Sequence, residues 1–101
     1  MDAAPIRFRD CEWRRLLGFD IPVATTWISR LLGLALLTRK RAGAGLLIPG
    51  CRSVHTIGMR FRLDLLFFDR RGQVVEICRD VPAGRFFRCR RAVAVLELPA
   101  P

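Results

Sequence analysis

Residues 63–78 read Leu-Asp-Leu-Leu-Phe-Phe-Asp-Arg-Arg-Gly-Gln-Val-Val-Glu-Ile-Cys, two apolar runs joined by a polar turn. The first run, 63–68, is apolar on both alternating faces except at Asp64, the pattern of a central strand covered on both sides. Asp69, Arg70, Arg71 and Gly72 then form a turn in which Gly72 can take a positive φ, and Val74 to Cys78 returns antiparallel. A central strand needs neighbours on both edges, so the rest of the chain must supply more strands.

Several candidates exist. Ile6, Arg7, Phe8 and Arg9 alternate with the period of a half-buried strand, and 19–23 is a second extended segment. Leu46 to Ile48 is a short apolar run stopped by Pro49 and Gly50, and Ala92 to Leu98 makes a last strand before Pro99. One helix is expected. Thr25 and Thr26 offer N-cap hydroxyls ahead of Trp27, Ile28, Leu31, Leu34 and Ala35, which share one helical face, and Gly43 and Gly45 mark where it must have ended. Connections after residue 60 are too short for a crossover helix, so antiparallel pairing is expected. The fold class is therefore mainly β (α+β), a small antiparallel β-barrel or sandwich with one packed helix.

At 101 residues there is room for one core. That excludes two domains, a long solenoid, a dinucleotide-binding domain with a partner domain, and a full α/β barrel. The organisation expected is an N-terminal strand region over 1–22 leading into a β-rich unit over 23–101, all one compact domain. With 51% apolar and 27% charged residues the chain is too hydrophobic for a disordered basic tail.

Eighteen Lys and Arg against nine Asp and Glu give a net charge of +9, and Lys40 is the only lysine. Such an excess draws nucleic acid, anionic lipid or an acidic partner. Against nucleic acid stand the dispersal of the charge in dyads, Arg14-Arg15, Arg70-Arg71 and Arg90-Arg91, and the lack of an aromatic stacking platform. Most basic residues are expected to be solvated surface, and Trp13 and Trp27 to pack in the core or against the helix. Cys11, Cys51, Cys78 and Cys89 have neither knuckle nor ribbon spacing and are expected as free thiols. The charged first twenty residues leave no room for a signal-peptide core, and no stretch spans a bilayer. The cytoplasm is the expected location.

Residues 49–69 hold almost every unusual side chain. Cys51, the single histidine His55 and Met59 are spaced by four, with Arg52, Thr56, Gly58, Arg60 and Asp64 around them. Three chemistries fit. Cys, His and Met together suit a soft metal, but on an extended segment His55 and Met59 lie about 13 Å apart at roughly 3.3 Å per residue unless Gly58 bends the chain. Cys51 activated by His55 would make a thiol-dependent enzyme, although no nucleophile signature accompanies it. The third chemistry is a ligand-binding pocket for an anion or peptide, in which Arg52 and Arg60 present forked donors, His55 tunes the site near neutral pH and Gly58 admits a ligand to the backbone. A structural alternative pairs Asp64 with Arg60 or Arg62 as a strut. Glu97 is either an edge-exposed charge or an inward carboxylate paired with an arginine. The binding reading is favoured over the enzyme, with no metal ion and no cofactor expected and an unknown acidic ligand or protein as partner. Nucleic-acid binding through the basic surface is the remaining alternative.

The blocks R-x-x-G-L at 30–34, G-x-G-L-L at 43–47, C-R-S-V-H-T-I-G-M-R-F-x-L-D-L-L-F-F-D at 51–69, G-x-V-V at 72–75 and A-V-x-V-L-E-L-P-A at 92–100 occur in an order that resembles domain of unknown function family 192, specifically its branch with a C-R-S-V-H-T-x-G-M-R core. The resemblance covers roughly 23–100. It implies a compact β-rich domain with a small helical element, a bacterial source, and no established activity. Some relatives are encoded beside tight-adherence pilus or secretion genes, and many in the other branch carry export signals. Two departures stand out. Arg62 replaces a usual proline before the Leu-Asp pair, and the chain stops where relatives continue into a glycine-containing turn and a terminal strand. The open edge so expected would serve a homodimer or a partner strand.

Overall fold

The computed structural model describes residues 4–101, so residues 1–3 of the expected N-terminal region lie outside the described residues. A 3-10 turn over Ile6–Phe8 leads into β1 (Glu12–Leu16), β2 (Phe19–Val23), α1 (Trp27–Leu32), α2 (Arg39–Ala42), β3 (Leu46–Pro49), β4 (Ser53–His55), β5 (Leu63–Phe68), β6 (Val74–Val81), β7 (Phe86–Arg88) and β8 (Ala94–Pro99). The fold is mainly β, as expected.

Six strands form one sheet in the order β1-β2-β3-β8-β5-β6, and β4 pairs β7 in a separate ribbon. The β5–β6 hairpin forms around the Asp69–Gly72 turn, where Asp69 Oδ1 accepts from the backbone N–H groups of Arg71 at 2.9 Å and Gln73 at 3.0 Å. β5 lies between β8 and β6, the central place its apolar pattern demands. The barrel is not formed. β1 and β6 end the strand order and do not pair with each other, and both carry exposed charges, Arg14 and Arg15 on one and Glu76 and Arg79 on the other. Exposed charged side chains on these two edges blunt them against further strand pairing.

Pairing is antiparallel throughout except where Val23 of β2 meets Leu47 of β3 in parallel. That departs from the all-antiparallel expectation, and the physical reason is the connection of residues 24–45, long enough for a crossover. It carries two helices where one was expected. Thr26 caps α1 by accepting from Ser29 N–H at 3.1 Å, but the helix stops at Gly33, φ 54°, and resumes as α2 behind Thr38. Leu34 and Ala35, assigned to the helical face, are buried in the turn between the two.

The break also accounts for the missing strand at 6–9. Arg7 turns inward, its Nη1 donating to Gly33 O at 3.0 Å and Ala35 O at 2.7 Å, carbonyls that α1 no longer uses. Those bonds and the buried Phe8 hold the segment in a 3-10 turn. Trp13 and Trp27, expected to pack, are 50% and 75% exposed.

One sheet face, with Leu46, Ile48, Leu63, Leu65, Phe67 and Val95, packs with Phe8, Leu34, Val54 and Met59 into the main core. Alternation sends Leu47 and Leu96 to the other face, where they join Ile21 and Val23, with Leu16, Leu66 and Phe68 packed alongside. β8 carries both sets, and Glu97 follows Val95 onto the core side.

Candidate functional site

The eight residues singled out in the sequence do not form one pocket. Thr56 is fully buried, and its Oγ1 donates to Pro82 O at 2.8 Å while accepting from Arg85 N–H at 2.8 Å, so it fastens the end of β4 to the turn before β7. Met59 belongs to the main core. Gly58, at φ 82°, accepts from Leu36 N–H at 2.8 Å, and its backbone lies against Ala35 and Leu36. It admits a neighbouring loop.

Asp64 is buried on the outer sheet face with neither expected partner. Its Oδ1 accepts from Asp80 N–H at 2.8 Å, and its nearest cation is Arg79 at 3.9 Å. Arg62 instead pairs with Asp80 at 3.6 Å, and Arg60 is exposed. Asp80 has φ 54°, at the irregularity where Leu63 faces Val81 but Leu65 faces Cys78. Asp64 therefore holds a β-bulge in place.

Cys51 Sγ lies 3.0 Å from Ser53 O, and His55 Nδ1 accepts from Ile57 N–H at 3.2 Å. Burial pushes the Cys51 thiol up from its ordinary value, a backbone hydrogen bond at Ser53 and the charge of Arg30 pull it down, and Glu97 pushes it up again. A thiol so shifted is a poor nucleophile at neutral pH.

His55 contributes instead to a cleft of about 60 Å³, together with Arg30, Leu31, Leu32, Gly33, Ser53, Val54 and Glu97. Glu97 is only 3% exposed, so it is inward-facing. No ion pair to an arginine is present among the described residues, and Glu97 Oε1 is the one buried side-chain polar atom among them with no hydrogen-bond partner. Burial pushes its carboxyl up to about 7 against an ordinary 4.5, with the Leu34 backbone N–H pulling the other way. Arg30, at the rim, donates from Nη1 to Pro49 O and from Nη2 to Gly50 O at 3.3 Å. With Nδ1 of His55 taken up as an acceptor, Nε2 is the ring nitrogen left to face a ligand.

Arg52 belongs to a second, shallower depression of about 370 Å³, walled also by Arg70, Arg71, Arg90 and Arg91. Three loops meet there. Cys89 N–H donates to Arg52 O at 2.8 Å, Val93 N–H to Phe68 O at 2.7 Å and Cys51 N–H to Val93 O at 3.1 Å, so the connections before β4, β6 and β8 are tied by backbone bonds. Two arginine dyads read as dispersed surface are thus gathered beside Arg52. The signal lay in the strand order: antiparallel neighbours bring the end of β5 and the start of β8 to one end of the sheet.

The model of domain of unknown function 192, described as "Uncharacterized ACR", matches residues 12–101. The chain belongs to this family. The match takes in β1, which lies ahead of the blocks quoted above. A crystal structure of a protein of unknown function from Novosphingobium aromaticivorans shares the fold, with a TM-score of 0.64 and 19% identity over 81% of this chain and 64% of that one. The chain thus spans 64% of that relative's length. No curated protein matches. No helix among the described residues is long and apolar enough to cross a membrane.

Four of the five blocks that carry the family resemblance converge on Glu97. A Cβ on Gly33, from R-x-x-G-L, would stand 2.8 Å from Glu97 Oε1, and one on Gly45, from G-x-G-L-L, would stand 2.5 Å from Glu97 O. Ser53 and His55 come from the C-R-S-V-H-T block, and Glu97 itself from V-L-E-L-P.

Proposed function

We propose that this chain is a binding or accessory protein whose cleft between α1, β4 and β8 takes a peptide or carboxamide group. The reading rests on the unpartnered Glu97 Oε1 in the cleft wall. A buried acceptor without a donor costs about 1–3 kcal/mol, which a ligand N–H recovers. Nε2–H of His55 and the guanidinium of Arg30 supply donors for the carbonyl of the same group. A cleft of about 60 Å³ suits one such group and excludes a large substrate. The raised Cys51 thiol, engaged at Ser53, supports binding over thiol catalysis. On this reading the sheet and the β4–β7 ribbon act as the two layers of a small sandwich, with the cleft at one end.

Titration with N-methylacetamide, followed by NMR, tests it. The expected result is chemical-shift change confined to Gly33, Ser53, His55 and Glu97, with the Glu97 carboxyl pKa displaced by ligand and the shifts lost in Glu97→Leu. Saturating N-methylacetamide that leaves these resonances and the carboxyl titration unchanged would overturn it.

A further inference from the structure

The arginine depression continues into an apolar groove. A cavity of about 340 Å³ lies over the outer face of the sheet, with Leu16, Leu47, Phe68, Ala94 and Leu96 in its wall, and Asp69 and Arg70 belong to both cavities. Its rim residue Leu17 is 66% exposed. Apolar lining on one side of Arg70 and four further arginines on the other make one amphipathic surface.

We propose that the two cavities together bind a single-chain anionic amphiphile, its phosphate- or carboxylate-like head on Arg52, Arg70, Arg71, Arg90 and Arg91 and its alkyl chain in the groove.

Charge complementarity argues for the head. Five arginines line the depression in a chain of net charge +9, and their planar forked donors suit oxyanions. The one carboxylate in the wall, Asp69, turns Oδ1 to the backbone N–H groups of its own turn. Tying of the three loops by backbone bonds fixes the arginine backbones before any ligand arrives.

The groove argues for an alkyl chain over a peptide. Leu47, Phe68, Ala94 and Leu96 lie on β3, β5 and β8, each paired on both edges within the sheet. Their backbone groups are spent in the ladder, leaving a peptide backbone without hydrogen-bond partners there. An alkyl chain needs none. Nucleic acid lacks a matching feature, because the wall offers Phe68 alone as an aromatic surface.

Calorimetric titration with methyl, butyl, hexyl and decyl phosphate, all below micellar concentration, tests the inference alongside decanol. Affinity should rise roughly three- to fourfold per methylene buried, then level off as the groove fills. Decanol should bind at least tenfold more weakly than decyl phosphate. Arg90→Ala with Arg91→Ala, on an exposed loop, should weaken every phosphate while keeping the chain-length gain; Ala94→Leu should cut the gain and spare methyl phosphate. Equal affinity across the series would overturn the inference, as would decanol matching decyl phosphate. An oligonucleotide that displaces decyl phosphate with a steep salt dependence would assign the arginines to nucleic acid and overturn it. Self-association that Ala94→Leu abolishes, with no decyl phosphate bound to the parent protein, would assign the groove to a second copy, with the same consequence.

Discussion

Glu97 and Gly33 share one packing space: a Cβ on residue 33 would stand 2.8 Å from Glu97 Oε1, closer than two such atoms sit. Gly33 also ends α1 at φ 54°, where a side chain is strained. Backbone and carboxylate are therefore fitted to each other. Gly33→Ala should destabilise the protein by about 2 kcal/mol or more from strain and overlap together, measured by urea denaturation. In a Glu97→Ala background the overlap part of that loss should vanish, and an unchanged loss there would show that Glu97 plays no part.

The buried carboxyl makes stability depend on pH. Glu97 is raised to about 7 in the fold from an ordinary 4.5. Its favourable contribution is full below the unfolded value and is lost as pH rises through the folded one, because the unfolded chain releases its proton first. Stability should fall between about pH 4.5 and 7 by about 3 kcal/mol at most, and Glu97→Gln should flatten this window. Denaturant midpoints across the range check it, and identical slopes in both proteins would contradict it.

Asp64 and Arg79 should prove unequal partners. Asp64→Ala removes the acceptor for Asp80 N–H at the bulge and should cost about 1–3 kcal/mol, whereas Asp64→Asn keeps an amide oxygen there and should cost less. Arg79→Ala should be nearly silent, because its pair with Asp64 is 3.9 Å long and the arginine side chain is 74% exposed. The two losses compared by thermal melting settle which contact holds the bulge.

Thr56 is a structural residue by its hydrogen bonds. Thr56→Val keeps the shape but leaves Pro82 O and Arg85 N–H without their side-chain partner, so a loss of about 2 kcal/mol is expected. Amide exchange at Arg85 should quicken in the variant, and an exchange rate like that of the parent would reassign the bond.

Cys51 should behave as an ordinary or sluggish thiol. Burial raises it, so alkylation by iodoacetamide at pH 7 should run no faster than for a free cysteine, and should accelerate as pH rises. Mass spectrometry of the labelled peptides reads it directly. Faster labelling of Cys51 than of an unstructured thiol would revive the nucleophile reading.

Residues whose roles rest on their nearest neighbours in the chain were legible. Thr26 caps α1 because its hydroxyl reaches three residues on, and Asp69 closes its own turn. β5 is central because its two apolar faces permit nothing else. The site was legible in part only. His55 and Glu97 were both noticed, but separately, and they meet because β8 runs beside β3, whose Leu46 faces Glu97 in register, while β4 leaves the main sheet. Thr56 and Asp64 carried the same polar signal as His55. Their acceptor and donor partners lie 26 and 16 residues away.

The amino-acid sequence alone determined the family, the mainly β class, the hairpin at 63–78 and the first helix cap, because period, turn residues and block order act over short separations. Tertiary structure decided the open sheet, the helix break at Gly33, the burial of Glu97 with Oε1 unpartnered, and the gathering of Arg52 with the two dyads. Each depends on which strand lies beside which, and that is set by the burial of both faces of β8 at once, a condition no local stretch of chain can satisfy.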